Sequence, residues 1–483
     1  MSVHTFSRRR LLGHGSMLLS GLAILSACSS PPAAAPAKPA EPAKPAEAAK
    51  PAAPAAQAAA TTAPAPTTVP AVKPAEAAKP AAPAATGKTT LTIWTNSDTW
   101  TKMGGYWSEQ TAQKFPGGNV TVNQVGIPYA DFEAKYLAAF SGGSGAPDIF
   151  QGQVANYAGA LDVAEPLPKE IADRFEKDVL KAISQFHKYK GVWHGMPLSA
   201  DLGMMLIYNT DHFTEVGLDP AKPPTTMKEL REAAIKLTKK DASGEITRPG
   251  HTIRATSAPV GIADKFLPYL HAFGGRLYAE DATKATGTTN GPAAVEALEF
   301  VTNLIHTDKA ANPQLGNPED QFAGGIASMI FRESWYVGAM KERGPNVKFD
   351  TVLLPKEKAY PGISLLFNWS MMVYKKSPAK DVALKWLDFI NVKEHDLAVA
   401  QLEKFLPILT ESYTDPYISD RKDYKIIQQI MAAPPGPYYD HPRINQIADR
   451  IGRGIEEAAL GKRKPQEALD AAAADVDRIM SRR

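Results

Sequence analysis

The chain has 483 residues, of which 44% are hydrophobic and 22% are charged, and its formal net charge is +3 at pH 7. Because the lysines and arginines are dispersed outside the N-terminal segment, this balance argues against a nucleic-acid-binding protein. The single cysteine, Cys28, excludes a framework of disulfides within the chain.

The N-terminal segment has the three parts of an export signal. Three arginines at positions 8–10 precede an apolar run over residues 11–24, and small residues lead from it to Cys28. The run is shorter than the ~20 apolar residues that span a membrane. "SRRRLL" resembles a twin-arginine signal and "LSAC" resembles a bacterial lipobox, which together imply export of the chain and attachment of lipid to Cys28.

We therefore expect residues 1–28 to be a lipoprotein signal. The exported chain would be anchored to the outer face of the cytoplasmic membrane, because buried acyl chains hold a protein to a bilayer. Export could follow the twin-arginine or the general secretory route. The alternative for Cys28 is a buried cysteine that happens to lie near the N-terminus.

Residues 29–87 predict a disordered tether. They are nearly all alanine and proline, and "KPAEAAKPAAPAA" occurs at 44–56 and again at 73–85. Frequent proline prevents helix formation and favours extended chain, and no unit has an apolar face that could stack as a solenoid. The tether is either a spacer between bilayer and folded part or a linker of no selected length.

From about Lys88 onward the chain is globular in character and too long for one core, so we expect two lobes. "TLTIWT" (90–95) and "VTVNQVGI" (120–127) predict strands, and residues 98–115 and "YADFEAKYLAAFSGG" predict helices. "PDIF" (147–150) predicts a third, buried strand. This β-α-β-α-β order is typical of parallel α/β layering.

The rest of the chain also mixes helices and strands. "TTMKELREAAIKLTKK" predicts a helix that begins with a capping box, formed by Thr225 or Thr226 with Glu229. "GPAAVEALEFVTNLIH" and "SPAKDVALKWLDFIN" predict amphipathic helices with proline near the first turn. "ASMIF" and "SMMVYKK" predict buried strands, and "INQIADRIGRGIEEAALG" and "PQEALDAAAADVDRIM" predict helices. The predicted fold class is α/β.

Several segments, in this order, resemble the extracellular solute-binding proteins of carbohydrate ABC importers, the group that includes the maltose-binding and glycerol-phosphate-binding proteins. They are "LTIWT", "FSGGSGAPDIF", "GVWHGMPLSADLGMMLIYNTDHFTEVGL", "LHAFGGRLY", "FAGGIASMIFRESWYV", "LPILTES" and "GKRKPQEALDAAAADVDRIM". The central Gly-aromatic segment followed by "YN" is the most specific of them.

The resemblance implies a two-lobed periplasmic-binding-protein-like clamp of type II, with three crossovers between the lobes. The first lobe would contain residues 88–198 and 367–405, and the second would contain residues 199–366 and 406–483. The crossovers would lie near residues 198–201, 363–366 and 406–409.

A sugar needs aromatic rings for its C–H faces and polar groups for its hydroxyls. Loops at the carboxyl ends of strands place such groups in an open α/β sheet. These considerations, together with the resemblance, give the candidate ligand-binding residues. They are Asn96, Asp98, Trp100, Gln151, Gln153, Asp201, Phe273, Gly274, Arg332, Ser334, Trp335, Asn368, Trp369 and Tyr438.

Some of these residues have a structural alternative. Trp100 could pack against the first helix, and Asp201 could cap a helix or pair with a lysine. Arg332 could bind a hydroxyl or a phosphate, or it could form a buried ion pair with Glu333 or another carboxylate of the second lobe. Trp94 and Trp386 are expected in the core.

No motif of a hydrolase, a nucleotide-binding protein or a metalloenzyme is present after residue 88, and the histidines lack metal-ligand spacing. We expect no enzyme activity, no metal and no cofactor. The expected function is capture of a sugar or polyol by a monomer that delivers it to the transmembrane subunits of an ABC permease with cytoplasmic ATPases. The alternatives are a binding protein for a glycerol phosphodiester, a tethered glycoside hydrolase and an adhesive lipoprotein.

Overall fold

The computed structural model describes residues 88–482, apart from short gaps at 98–99, 129–130, 143–144, 201–202, 359–363, 365–367 and 434–438. The predicted signal, the lipid attachment at Cys28 and the tether lie outside the described residues and stay predictions. Within the described residues, no helix combines the length and the apolar character that a membrane span requires.

Strands and helices alternate along the described residues. The strands are β1 Thr89–Asn96, β2 Val120–Ile127, β3 Ile149–Gly152, β4 Lys188–Tyr189, β5 Val192–Trp193, β6 Gly195–Pro197, β7 Met204–Asn209, β8 Lys239–Lys240, β9 Ile246–Arg248, β10 Met329–Glu333, β11 Phe349–Leu353 and β12 Ser370–Val373. The helices are α1 Met103–Lys114, α2 Phe132–Gly142, α3 Lys169–Asp178, α4 Lys181–Ser184, α5 Thr210–Glu215, α6 Met227–Leu237, α7 Pro259–Ala272, α8 Pro292–Thr302, α9 Pro318–Ala323, α10 Ser334–Arg343, α11 Lys380–Ile390, α12 Lys393–Glu403, α13 Pro416–Ser419, α14 Tyr424–Ala432, α15 Ile444–Ala459 and α16 Pro465–Met480.

The first sheet has the strand order β2-β1-β3-β12-β6. β1 is parallel to β2 and β3, which confirms the β-α-β-α-β prediction, whereas β12 is antiparallel to β3 and β6. Trp386 of α11 is fully buried against this sheet's core, as expected, and its Nε1 donates to Thr111 Oγ1 at 2.8 Å. Trp94 is half-buried and stacks on Tyr136.

The second sheet has the antiparallel order β10-β7-β11. All six residues of β7 are buried, because this central strand is covered on both faces. The helices α7, α8, α15 and α16 pack together around one hydrophobic core on this side of the molecule. The predicted capping box is confirmed: Thr226 and Glu229 satisfy each other's backbone N–H groups at the start of α6.

Three chain segments connect the two sheets, and they lie side by side. The first runs from β6 to β7, the second from β11 to β12, and the third follows α12. Leu198 N–H donates to the Trp369 carbonyl at 3.0 Å, and Ala200 N–H donates to the Leu406 carbonyl at 3.1 Å. The backbone of the first connection is therefore hydrogen-bonded to both of the others, which is the arrangement of a hinge. The predicted lobe boundaries stay predictions.

Candidate functional site

The carboxyl edge of the first sheet gathers polar residues from several strands. Asn96 ends β1, and its backbone N–H donates to Gln151 Oε1 at 2.8 Å. Ser370 of the antiparallel β12 stands opposite Gly152 of β3. Asn368 and Trp369, which precede β12, therefore reach the same edge as Gln153. The structure thus brings together Asn96, Gln151, Gln153, Asn368 and Trp369, five of the residues that sequence analysis selected.

Several polar atoms at this edge are buried without a partner among the described residues. They are Nε2 of Gln151 and both amide atoms of Asn368, and the Asn368 side chain belongs to a residue that is 2% exposed. A buried polar atom without a hydrogen bond costs about 1–3 kcal/mol. Such atoms are free to bind the hydroxyl groups of a ligand or ordered water.

A cavity of about 160 Å³ opens between the two lobes beside this edge. The first lobe contributes aromatic and polar side chains, and the second contributes the first turn of α7 and one face of α15. The lining residues are Phe132, Glu133, Gln153, Tyr157, Ala258, Pro259, Val260, Trp369, Asn445 and Asp449. Oδ1 of Asn445 is also buried without a partner in the described part of the chain. The cavity therefore combines aromatic rings with hydrogen-bonding groups.

The aromatic wall depends on a local departure from regular helix. Residues Ala155–Ala160 form a π-helical turn that places Tyr157 behind β3. A Cβ at Gly152 would lie 2.3 Å from the Tyr157 ring, so only glycine permits this approach. Phe132 packs edge-to-face on Trp369, with 5.9 Å between the ring centroids. π-Turns are frequent at functional sites.

Two carboxylates line the cavity from opposite lobes. Asp449 of α15 receives hydrogen bonds from Arg453 Nε at 2.9 Å and from Arg453 Nη2 at 3.0 Å. Glu133 of α2 is half-buried, and no ion pair of this residue occurs among the described residues. Burial, and to a smaller extent the nearby charge of Asp449, raises the pKa of Glu133.

Five polar or aromatic lining residues were not predicted from the sequence: Phe132, Glu133, Tyr157, Asn445 and Asp449. Glu133 and Phe132 follow the second strand of the first sheet, so the rule that placed the other residues could have found them. Asn445 and Asp449 lie on α15, whose sequence has a regular helical pattern. Only the apposition of the two lobes brings that face of the helix to the cavity.

Two of the predicted ligand contacts belong to hydrophobic cores instead. Trp100 is 2% exposed and stacks on Phe405, with 4.9 Å between the ring centroids and an interplanar angle of 7°. This geometry supports the packing alternative for Trp100. Phe273 is 5% exposed and contacts Phe300 in the second-lobe core. The neighbouring Gly274, the second residue after the end of α7, has a φ of +80°, a left-handed conformation that favours glycine after a helix.

Arg332 forms buried ion pairs, as its structural alternative predicted. Its guanidinium contacts Glu319 and lies 3.7 Å from Glu333, which also pairs with Lys265. Burial alone would raise the pKa of Glu333, but the charges of Lys265 and Arg332 hold it well below its usual range. With these carboxylates as partners, Arg332 is a structural cation, and its prediction as a ligand contact is corrected.

Of the remaining predicted residues, two lie within the described part of the chain and three lie outside it. Ser334 begins α10 and is buried, and its Oγ has no partner in the described part of the chain. Trp335 is half-buried between Phe405 and Arg343. Asp98, Asp201 and Tyr438 lie outside the described residues and stay predictions. Among the described residues, no group of three His, Cys, Asp or Glu side chains could hold a metal ion.

Comparison with known proteins gives a consistent family. Residues 97–395 match the family model described as bacterial extracellular solute-binding protein. A binding protein of Brucella abortus (strain 2308) is 24% identical over 397 residues, which cover 79% of this chain and 91% of the relative.

Two solved structures share the fold. A solute-binding protein of Thermotoga lettingae bound with alpha-D-tagatose has a TM-score of 0.72 at 20% identity, and the match covers 82% of this chain and 100% of that one. UgpB of Mycobacterium tuberculosis in complex with glycerophosphocholine has a TM-score of 0.69 at 18% identity, and the match covers 82% and 98%.

The two sheets, their hydrogen-bonded connections and the cavity between them are the parts of a two-lobed α/β clamp of type II. The family match covers more than half of the chain, and the family consists of binding proteins, so the chain is not an enzyme and the glycoside hydrolase alternative is wrong. The chain belongs to the family of bacterial extracellular solute-binding proteins.

Proposed function

We propose that this protein captures a neutral sugar or a related polyol between its lobes and delivers it to the permease of an ABC importer. The observation that carries the proposal is the interlobe cavity, where aromatic rings stand beside the amide groups of Gln153 and Asn445, and Oδ1 of Asn445 has no partner in the described part of the chain. Aromatic rings suit the C–H faces of a sugar, and amide groups suit its hydroxyls. This combination is not needed for an adhesive lipoprotein.

The interlobe cavity is large enough to hold one ring of the ligand. An apolar cavity of about 150 Å³ accommodates benzene, and the cavity here measures about 160 Å³. One six-membered ring would therefore fit between Trp369 and the first turn of α7. The rest of a longer ligand would extend along the carboxyl edge of the first sheet.

Closure follows from the position of the cavity. A ligand that contacts both Trp369 of the first lobe and Asn445 of the second binds the closed conformation more tightly than the open one. Ligand therefore shifts the population toward closure, by no more than the difference between its two affinities. The permease would then distinguish the loaded protein by its closed shape.

We also propose that the lipid on Cys28 keeps the protein at the membrane. This proposal is supported by the sequence of the N-terminal segment and by the extracellular family of the folded part. The test is metabolic labelling with a radioactive fatty acid. The wild-type chain should carry label and sediment with membranes, and the Cys28→Ala variant should carry none and be released.

A glycerol phosphodiester is a second candidate ligand, and one observation favours it. A neighbouring cavity of about 460 Å³ contains three arginines, Arg450, Arg478 and Arg482, and shares Glu133 and Asp449 with the interlobe cavity. Arginine is well suited to phosphate. The glycerophosphocholine complex of the similar UgpB structure fits this candidate.

Thermal unfolding with a ligand panel tests the function. The panel contains sugars, polyols, sn-glycerol 3-phosphate, glycerophosphocholine, amino acids and peptides. A ligand at ~100 times its Kd stabilises the folded state by ~2.7 kcal/mol and should raise Tm by a few degrees. A sugar or polyol that raises Tm and is recovered unaltered supports the proposal. A shift by amino acids or peptides alone would contradict it.

A further inference from the structure

We infer that Glu133 determines ligand specificity: its carboxylate accepts a hydrogen bond from a hydroxyl group of a neutral ligand and repels ligands that place a phosphate or a carboxylate in the interlobe cavity. The inference rests on the proposed function, because it requires a solute between the lobes. It also decides between the two candidate ligand classes.

The position of Glu133 supports this role. It is the second residue of α2 in the first lobe, and it lines both the interlobe cavity and the neighbouring cavity. Asp449 lines the same two cavities from α15 of the second lobe. A solute that enters the interlobe cavity therefore has a carboxylate on either side.

The two carboxylates differ in their partners. Arg453 binds both oxygens of Asp449, with donor–acceptor distances of 2.9 and 3.0 Å, so this acid is already balanced. Glu133 forms no ion pair within the described part of the chain, and its side chain is half-buried beside Phe132. An ionised carboxylate with unused acceptor sites binds hydroxyl donors strongly.

The surrounding charges disfavour an anion. No lysine or arginine is among the residues that line the interlobe cavity. In the neighbouring cavity, Arg478 forms an ion pair with Asp475, Arg450 lies 4.0 Å from Asp449, and the third arginine, Arg482, lines that cavity but not the interlobe cavity. An anionic group between the lobes would thus lie near Glu133, which has no ion pair among the described residues, and would find no cation on the wall of the interlobe cavity. Coulomb repulsion is strong where solvent is displaced.

Three variants of the full chain test the inference. Glu133→Gln removes the charge and keeps the shape, and Glu133→Lys reverses the charge. Glu170→Gln is the matched control, because Glu170 is also the second residue of its helix, α3, and is exposed outside both cavities. The helix dipole therefore acts similarly on both acids. Tm without ligand reports whether each variant is folded.

Titration calorimetry measures the affinity of each variant for D-tagatose, ribitol, maltotriose and sn-glycerol 3-phosphate. We expect the wild type and Glu170→Gln to bind at least one neutral probe and to bind sn-glycerol 3-phosphate at least tenfold more weakly. Glu133→Gln should lose about tenfold in affinity for the neutral probe, because a hydrogen bond to a charged group is lost. Glu133→Lys should gain affinity for sn-glycerol 3-phosphate.

Two results would overturn the inference and leave the proposed function intact. One is a neutral probe that binds Glu133→Gln and Glu170→Gln equally well. The other is a wild-type chain that binds a neutral probe but binds sn-glycerol 3-phosphate more tightly. If no variant binds any probe, the proposed function fails and the inference fails with it.

Discussion

The two sheets each end in a cluster of polar residues, and the two clusters differ in charge: the first contains neutral amide groups, whereas the second contains ion pairs. At the edge of the first sheet, Gln151 and Asn368 retain buried polar atoms without partners. At the end of β10 in the second, Arg332 and Glu333 pair with each other and with Glu319 and Lys265. Both clusters contain buried polar atoms without a hydrogen-bond partner in the described part of the chain, Arg332 Nε and Glu333 Oε2 among them, but only the second cluster balances its charges by internal ion pairs. The neutral amide groups of the first cluster remain available to a ligand. Ion pairing within the fold therefore explains Arg332 and Glu333, whereas no contact among the described residues explains Gln151 Nε2 or the amide of Asn368.

The largest expected effect comes from removing the ion pairs of Arg332 in the second cluster. Arg332→Ala leaves Glu319 buried without its cation and leaves Glu333 with Lys265 alone, which should lower the free energy of unfolding by about 3–5 kcal/mol. Chemical denaturation measures this loss. Ligand affinity of the fraction that remains folded should be unchanged. A large loss of affinity with little loss of stability would place Arg332 in the ligand site after all.

A smaller effect comes from Asp396, a buried carboxylate whose partners are two backbone N–H groups and a hydroxyl group. It accepts hydrogen bonds from Ile408 N at 2.8 Å, Leu409 N at 2.9 Å and Ser412 Oγ at 2.7 Å, and so fixes the third connection to the first lobe. Burial nevertheless raises its pKa to about 6.

The pH dependence follows from this shift. A folded-state pKa above the unfolded value of 3.8 means that the folded state binds more protons, so stability should fall as pH rises from about 4 to about 6. The contribution is at most on the order of 2–3 kcal/mol. Urea denaturation across this range should show the decline in the wild type and a flatter profile in Asp396→Asn. Identical profiles would contradict the assignment.

Asn368 tests the role of the unpartnered amide groups in the first cluster. Asn368→Leu removes two unpartnered buried polar atoms and keeps a similar volume. The free energy of unfolding without ligand should therefore stay constant or rise, while ligand affinity should fall by about 1–3 kcal/mol. Denaturation and calorimetry on the same preparation give both values. Loss of stability without loss of affinity would show that Asn368 has a structural role.

The smallest effect is a control in the second lobe. Thr226→Ala removes the capping box of α6, a helix that contributes no residue to the lining of the interlobe cavity. The loss should lower the free energy of unfolding by ~1 kcal/mol. Affinity for any ligand should be unchanged. A change in affinity would mean that stability and binding are coupled throughout the molecule.

Much of this comparison was accessible from the sequence. β-Branched alternation located β1 and β2, and the short apolar segment "PDIF" located β3. The parallel arrangement then placed Asn96, Gln151 and Gln153 at one edge. Burial of aromatic residues was harder to predict. Trp100 is covered by Phe405, about 300 positions away in the chain, and no local pattern around either residue reports that contact.

The second-lobe wall could not be predicted for a similar reason. Asn445 and Asp449 follow a regular helical pattern, and their role depends on how α15 faces the first lobe. The π-helical turn that positions Tyr157 is also set by tertiary packing over Gly152. Local sequence therefore predicts strand ends well, whereas it does not predict which surfaces meet across the hinge.

The most direct test of binding in the interlobe cavity is intrinsic tryptophan fluorescence during ligand titration. Trp369 lines the cavity, whereas Trp193 is buried in the first-lobe core. With a sugar or polyol from the thermal panel, the wild type and Trp193→Phe should show a saturable emission change, and Trp369→Phe should lose it together with at least tenfold in affinity. An unchanged signal and affinity in Trp369→Phe would contradict binding at this cavity.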